Sequence, residues 1–318
     1  MIPPVRHAEP GGPDSVVTAI ATVGLTKRFG EVLAVDDLDL TVERGEVFGF
    51  LGPNGAGKTT TIRMLLDLAR PTAGSATVLG RDTRVDAIEV HRRIGYLPGE
   101  LDLPKDLTAR EFLDFAADLR PAFDPAWRDD LCERFDVPLD RDLGEASTGN
   151  RQKVGLVQAF MHRPEVVFLD EPSRGLDPLV QHEFHRLIGE ACGRGTTVFL
   201  SSHTLSEVER VADRVGILRH GRLVVVDTLE RLRSRARRTI EIDFAAEVAS
   251  PASLDGLPGV VSVRTQGATV LVSVDGPLDA VLRAALALGE VVNIRTPEAN
   301  LEEIFLDYYR AQPEDSGG

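Results

Sequence analysis

Short apolar runs alternate with helical patterns through the first two thirds of the chain. The run Val47–Leu51 contains no polar residue, which predicts a strand buried on both faces. Residues 59–69 then carry apolar side chains at helical spacing, and Arg70-Pro71 predicts the helix end. Further buried strands are predicted at residues 166–169 and 196–201. This alternation indicates an α/β fold with a mainly parallel sheet, which we place at residues 19–232.

Two other regions depart from that alternation. Helical patterns without clear strands fill residues 111–119, 127–135 and 149–160, which predicts a helical subdomain over about residues 100–163. Period-two alternation then begins at Ile240, Ile242 and Phe244 and predicts a small C-terminal α+β domain over residues 233–310. Its elements are predicted strands near residues 270–274 and 291–294, a helix at 278–286, and a last helix capped by Asn300.

Composition and charge restrict the partners. The chain has 318 residues, is 42% hydrophobic and carries a net charge of -14, which disfavours a general nucleic-acid surface. The sequence has no run of about 18 apolar residues, so it predicts no membrane-spanning helix. Residues 1–18 are predicted to be a disordered tail that lacks the features of a signal peptide, and residues 311–318 a short C-terminal tail.

A glycine-rich segment after the first buried strand fits the phosphate-loop pattern G-x-x-x-x-G-K-[ST]. The predicted nucleotide-binding residues are Gly52, Pro53, Asn54, Gly55, Ala56, Gly57, Lys58, Thr59 and Thr60. Backbone N–H groups and the following helix N-terminus favour phosphate there, while Lys58 supplies a mobile positive charge. Thr59 is predicted to place its hydroxyl on Mg²⁺.

Acidic residues end the second buried strand. Asp170 is predicted to hold Mg²⁺ and Glu171 to polarise the attacking water, because catalytic groups of open α/β sheets lie at the carboxyl ends of the strands. His203 follows the neighbouring strand, and we predict that it contacts the γ-phosphate. The sequence therefore predicts hydrolysis of a nucleoside triphosphate at this edge.

In this order, the motifs resemble those of the ATP-binding cassette of ABC transporters over roughly residues 22–227. The segment Ala146-Ser147-Thr148-Gly149-Asn150 resembles the family's signature motif, usually Leu-Ser-Gly-Gly-Gln. The resemblance implies that Ser147 and Gly149 contact the γ-phosphate held by a second subunit. Three signature residues differ from the family pattern: Ala146 replaces the leucine, Thr148 the first glycine and Asn150 the glutamine.

The resemblance also implies roles for three more positions. Asp177 ends a segment similar to the family's D-loop and would help join the two nucleotide sites. Phe29 matches the aromatic residue that stacks on adenine, with a core position as the alternative. Gly99 stands where the family has a glutamine that ligates Mg²⁺, so either Glu100 substitutes for that glutamine or water takes its place.

The resemblance implies an ATPase with ATP and Mg²⁺ as cofactors, working as a dimer, most simply a homodimer. It also implies a separate multi-spanning permease at the cytoplasmic face of the plasma membrane. The C-terminal extension and the residues after Ser147 resemble those of drug and antibiotic exporters. The alternative is a soluble ABC ATPase acting on ribosomes or DNA, which the single phosphate loop and the lack of sustained heptads between Lys58 and Ser147 disfavour.

Overall fold

The computed structural model describes residues 17–120, 123–235, 238–248 and 250–296. The chain divides into two compact units, the first ending at Asp227 and the second beginning at Thr228. Within the described residues, no helix combines the length and the apolar character needed to cross a bilayer.

The first unit alternates strands and helices. Its elements are β1 (Thr18–Phe29), β2 (Val32–Glu43), β3 (Val47–Leu51), α1 (Lys58–Leu65), β4 (Ala73–Val78), β5 (Arg81–Asp82), α2 (Ala87–Arg93), β6 (Ile94–Leu97), α3 (Ala109–Asp118), α4 (Pro125–Arg134), α5 (Thr148–Phe160), β7 (Val166–Asp170), α6 (Pro178–Gly193), β8 (Thr197–Ser202), α7 (Leu205–Val208), β9 (Arg214–Arg219) and β10 (Arg222–Thr228).

A six-stranded sheet in the order β10-β9-β3-β8-β7-β6 forms the centre of this unit. Strand β3 pairs in parallel with β8 and β9, and β7 pairs in parallel with β6 and β8. Every residue of β3, β7 and β8 is buried, so the predicted apolar strands are confirmed. Because parallel strands end at one edge, the residues that follow β3, β7 and β8 lie together.

A second, antiparallel sheet in the order β2-β1-β4-β5 flanks the first. Its apolar side chains share one core with the parallel sheet. At the centre of the parallel sheet, the ring centroid of Phe199 lies 5.7 Å from those of Phe48 and Phe168 and 5.2 Å from that of Phe50. Such aromatic packing fixes the strands that carry the predicted site.

The helix after the phosphate loop is shorter than predicted. Helix α1 ends at Leu65, whereas the sequence pattern predicted a helix to residue 69. Asp67 adopts a positive φ of 52°, and the N–H groups of Leu68 and Ala69 both return to the carbonyl of Arg63. The chain therefore leaves the helix after Leu65. The apolar residues of the sequence continue at helical spacing to residue 69, and this spacing explains why the predicted helix was longer.

Helices α3, α4 and α5 lie within the predicted helical subdomain. The N-terminus of α3 has a capping box between Thr108 and Glu111, and α4 begins at Pro125 with Asp124 as its N-cap. Trp127 donates its indole N–H to the carbonyl of Phe160, 3.1 Å away, which ties α4 to the end of α5.

The second unit contains α8 (Leu229–Arg235), β11 (Arg238–Phe244), a 3₁₀ helix (Pro251–Leu254), β12 (Val260–Gln266), β13 (Thr269–Val274), α9 (Asp279–Leu288) and β14 (Val291–Arg295). Its four strands form an antiparallel sheet in the order β12-β13-β11-β14. Alternate residues such as Ile240, Ile242 and Val272 pack with Val281 of α9 in one core. The mixed α+β character is as predicted, while the predicted helix after Asn300 lies outside the described residues.

Candidate nucleotide-binding and hydrolysis site

The phosphate loop, residues 52–57, connects β3 directly to the N-terminus of α1. Gly57 caps this helix with φ of 111°, and a Cβ at this position would lie 2.4 Å from the carbonyl oxygen of Ala34. Only glycine tolerates both conditions. Pro53, Asn54 and Gly55 are exposed, whereas Gly52, Ala56 and Gly57 are buried and Thr60 is half-buried. The middle of the loop, residues 53–55, is therefore exposed to solvent, while both of its ends are buried.

Lys58 is buried, with only 6% of its surface exposed. Its Nζ donates to the carbonyl oxygens of Gly52 at 2.6 Å and Pro53 at 3.2 Å. The same ammonium lies 3.4 Å from Oε1 of Glu171. The positive charge is thus held inside the curve of the loop, against the carbonyl oxygens of Gly52 and Pro53 and the carboxylate of Glu171.

Thr59 and Asp170 are in direct contact. The hydroxyl of Thr59 donates to Oδ2 of Asp170 at 2.6 Å, and the hydroxyl of Ser201 donates to the other carboxylate oxygen. Asp170 is only 1% exposed. A hydroxyl and a carboxylate are oxygen ligands of the kind that Mg²⁺ takes, so this pair fits that ion.

Gly99 lies against this pair. A Cβ at Gly99 would be 3.2 Å from Oδ2 of Asp170, so a longer side chain at position 99 would reach the Asp170 carboxylate. Glu100 is exposed. The position at which this chain has glycine instead of the family's glutamine therefore lies beside Asp170.

Glu171 and His203 form a close pair at the ends of β7 and β8. Nδ1 of His203 lies 2.6 Å from Oε2 of Glu171. Among the described residues, no group donates a hydrogen bond to the buried Oε1 of Glu171. The backbone of Glu171 has φ of 50°, an uncommon conformation that often occurs at functional sites. One carboxylate oxygen is thus bound by the imidazole, while the other faces the Lys58 ammonium at 3.4 Å.

The signature residues lie at the N-terminus of α5. Ser147 is exposed and caps the helix by accepting from the N–H of Asn150 at 3.2 Å. A Cβ at Gly149 would lie 2.7 Å from the carbonyl oxygen of Gly175, so this helix end packs closely against the loop after Glu171. No hydrogen bond or ion pair within the described segments joins residues 147–149 to the phosphate loop.

Asp177 and Phe29 occupy exposed positions. Asp177 caps α6, accepting from the N–H groups of Leu179 and Val180. Phe29 is 53% exposed, which rules out the alternative that it is a core residue. Its ring centroid lies 4.7 Å from Nζ of Lys27, close to the turn between β1 and β2. The carbonyl of Ala34 in β2 touches the phosphate loop, so this hairpin flanks the site.

Sequence reasoning missed Ser201 and Glu207. Ser201 is fully buried at the end of β8 and donates a hydrogen bond to Asp170. Its position at the end of a predicted strand could have identified it as a site residue. Glu207 lies in the short helix α7 and accepts from Ser173 and Ser202. Its partners come from different strand ends, so no local pattern identifies it.

Comparisons with known proteins identify the family of this chain. The ABC transporter family model matches residues 35–174. The chain is 39% identical over 231 residues to the bacitracin transport ATP-binding protein BcrA of Bacillus licheniformis, covering 72% of this chain and 76% of that protein. It is 35% identical over 303 residues to the daunorubicin resistance ATP-binding protein DrrA3 of Streptomyces coeruleorubidus, covering 91% and 95%.

Solved structures show the same fold. The ATP-binding subunit of an ABC transporter superposes with a TM-score of 0.64 at 30% identity, covering 69% of this chain and 93% of that one. A bacterial ABC transporter cassette solved as a dimer superposes with a TM-score of 0.61 at 21% identity, covering 66% and 98%. With its phosphate loop, strand-end carboxylates and these relatives, the chain belongs to the family of ABC transporter ATP-binding proteins, the ATP-hydrolysing subunits of transporters.

Proposed function

We propose that this ATPase binds Mg-ATP on residues 52–60 and hydrolyses it when two copies close, and that closure drives a separate multi-spanning permease at the cytoplasmic face of the plasma membrane. The observation that carries the proposal is the convergence of three contacts at one edge of the sheet: Thr59 with Asp170, Lys58 with Glu171, and Glu171 with His203. Each contact joins residues from different strand ends, as a composite phosphate site requires.

The nucleotide is held mainly by the loop and Lys58. The phosphates lie over the N-terminus of α1 and accept from backbone N–H groups, while Lys58 turns from the carbonyls of Gly52 and Pro53 toward the β- and γ-phosphates. The half-exposed ring of Phe29 offers a stacking face for adenine. When bound, Mg²⁺ held by Thr59 and Asp170 would neutralise charge on the phosphates.

Glu171 is the proposed general base. A water oxygen attacks the γ-phosphorus, and its proton passes to Oε1, the carboxylate oxygen that takes no other hydrogen bond among the described residues. The bond from the γ-phosphorus to the bridging oxygen breaks, and its electron pair remains on ADP. His203, bound to Oε2 at 2.6 Å, orients the carboxylate and contacts the γ-phosphate.

The second copy supplies the signature residues in this proposal. In one chain, Ser147 caps its own helix and has no hydrogen bond to the phosphate loop within the described residues. A helix N-terminus with a serine hydroxyl is a suitable anion site, and Asp177 lies on the neighbouring exposed loop. The related cassette solved as a dimer is a precedent for pairing.

We expect the ATPase rate per chain to rise with protein concentration, because each site needs Ser147 of a mate. Replacing Ser147 by alanine should lower kcat at least about tenfold, since it removes one donor to the developing phosphate charge. The exposed Ser75→Ala variant is the control and should match the wild type. A rate per chain that is independent of concentration and of Ser147 would contradict the dimer proposal.

A surface suited to the permease lies beside the parallel sheet. A groove of about 390 Å³ is lined mainly by apolar residues, with His91 and Arg120 among the polar ones. Leu68, one of its apolar residues, is 58% exposed, and apolar surface of this kind is typical of contact sites. Because the relatives are named as transport and resistance proteins, we assign the groove to a membrane permease that carries a drug, an antibiotic or a lipid-like compound.

The groove can be tested by replacing Leu68 with glutamate. A buried charge at an interface is costly, so we expect recovery of the co-purified membrane protein to fall at least about tenfold. Val23→Glu is the matched control, because Val23 is 67% exposed in β1 and does not line the groove. Equal recovery of the membrane protein with both variants would remove the groove from the interface.

A further inference from the structure

Glu207 lies beside the hydrolytic pair but has no role in the steps above. Its side chain is half-buried next to the end of β8, and its two carboxylate oxygens accept from different segments. Oε1 accepts from the hydroxyl of Ser173 at 2.5 Å, and Oε2 accepts from the hydroxyl of Ser202 at 2.5 Å. One carboxylate thus joins the loop after β7 to the end of β8.

These bonds complete a closed ring with the hydrolytic pair. Ser173 is two residues after Glu171, and Ser202 directly precedes His203. Glu171 and His203 are themselves joined at 2.6 Å, so the ring runs through two peptide segments and three hydrogen bonds. The backbone carbonyl of Ser202 also accepts from the N–H of Gly52 at 3.3 Å. A shift of Ser173 relative to Ser202 therefore moves Glu171 relative to His203.

Glu171 needs such support. Its φ of 50° is unfavourable for a residue with a Cβ, and a backbone in this region persists only when the surroundings hold it. Besides the backbone bond from the N–H of Glu171 to the carbonyl of Ser201, the bridge through Glu207 holds the loop two residues later.

The environment of Glu207 suits a hydrogen-bonding role. Burial is the main reason that its pKa lies above the ordinary glutamate value, and the charge of Glu171 raises the pKa further, while the bonds from Ser173 and Ser202 oppose this shift. Glutamine has the same length as glutamate and can imitate this bridge, because its amide accepts from one serine and donates to the other.

From this ring we infer that Glu207 is a positioning residue for ATP hydrolysis: by bridging Ser173 and Ser202 it holds Glu171 against His203 in the geometry that accepts the water proton. The inference rests on the proposed role of Glu171 as the base. Glu207 itself is assigned no contact with nucleotide.

The test is a double-mutant cycle on the full chain with ATPase and nucleotide-binding measurements. Glu207→Ala should lower kcat by about tenfold to a hundredfold, because small misplacements of a reacting group are that costly, while the Kd for Mg-ATP stays within about threefold. Glu207→Gln should restore most of kcat. Ser173→Ala removes the hydroxyl bond of the bridge but keeps the backbone bond of residue 173 to Glu207, so it should lower kcat less than Glu207→Ala. Ser173→Ala with Glu207→Ala should be no slower than Glu207→Ala alone, since both substitutions act on the same bridge.

The exposed Ser206→Ala on the same short helix is the matched control, and the melting temperature of each variant identifies any that fails to fold. The inference is overturned if Glu207→Ala keeps near-normal kcat, if Glu207→Gln is as slow as Glu207→Ala, or if the two losses multiply in the double variant. A failure of the proposed base is reported separately, because Glu171→Gln would then keep near-normal kcat whatever the effect of Glu207→Ala.

Discussion

Replacing Glu171 by glutamine lowers kcat for ATP hydrolysis by about a hundredfold or more, while Mg-ATP still binds. The amide keeps the size of the carboxylate but cannot take the water proton at Oε1. It also removes the negative charge 3.4 Å from Lys58, so the ammonium loses a competing anion and ATP affinity is maintained or increased. The measurement is a steady-state phosphate-release assay together with a nucleotide-binding titration.

The same variant should accumulate as a dimer. Because ATP binds but is not consumed, the closed pair persists, and size-exclusion chromatography with Mg-ATP should show twice the chain mass. Glu230→Gln, at an exposed position of α8, is the matched control and should turn over normally. Near-normal hydrolysis by Glu171→Gln would show that another group takes the proton.

Replacing Lys58 by alanine weakens the affinity for ATP by at least about tenfold. Each charge-assisted hydrogen bond contributes ~1.5–3 kcal/mol, and 1.4 kcal/mol corresponds to a factor of ten. Lys58 is buried at 6% exposure and aims its ammonium into the loop, so no solvent-exposed cation replaces it at the same place. A binding titration with Mg-ATP measures the effect, and hydrolysis falls with it.

The matched control for Lys58 is Lys105→Ala, which removes an exposed lysine outside the phosphate loop. It should leave the Kd for ATP unchanged. Because Lys58 also faces the half-buried Glu171, the melting temperature of the variant should be compared with that of the wild type. Unchanged nucleotide affinity in a folded Lys58→Ala protein would exclude residues 52–60 as the phosphate site.

Parts of the fold were predictable from the sequence because they depend on neighbouring residues. The limits of β3 were predicted without error, since a strand buried on both faces has no polar position. The loop that follows carries its glycines at the positions where the backbone turns. The limits of α1 were predicted less well, because the turn at Asp67 depends on bonds back to Arg63 that apolar spacing does not encode.

The sequence by itself determined the chemistry of this protein: a phosphate loop with Lys58 and Thr59, and carboxylates at the end of the next buried strand. Tertiary structure alone decided how those groups meet. It paired Glu171 with His203, exposed Phe29, and brought Ser173 and Ser202 to Glu207, a residue 34 positions from the first of them. The physical reason is that strand and turn preferences act between neighbours in the chain, whereas hydrogen bonds between strand ends depend on the register of the assembled sheet.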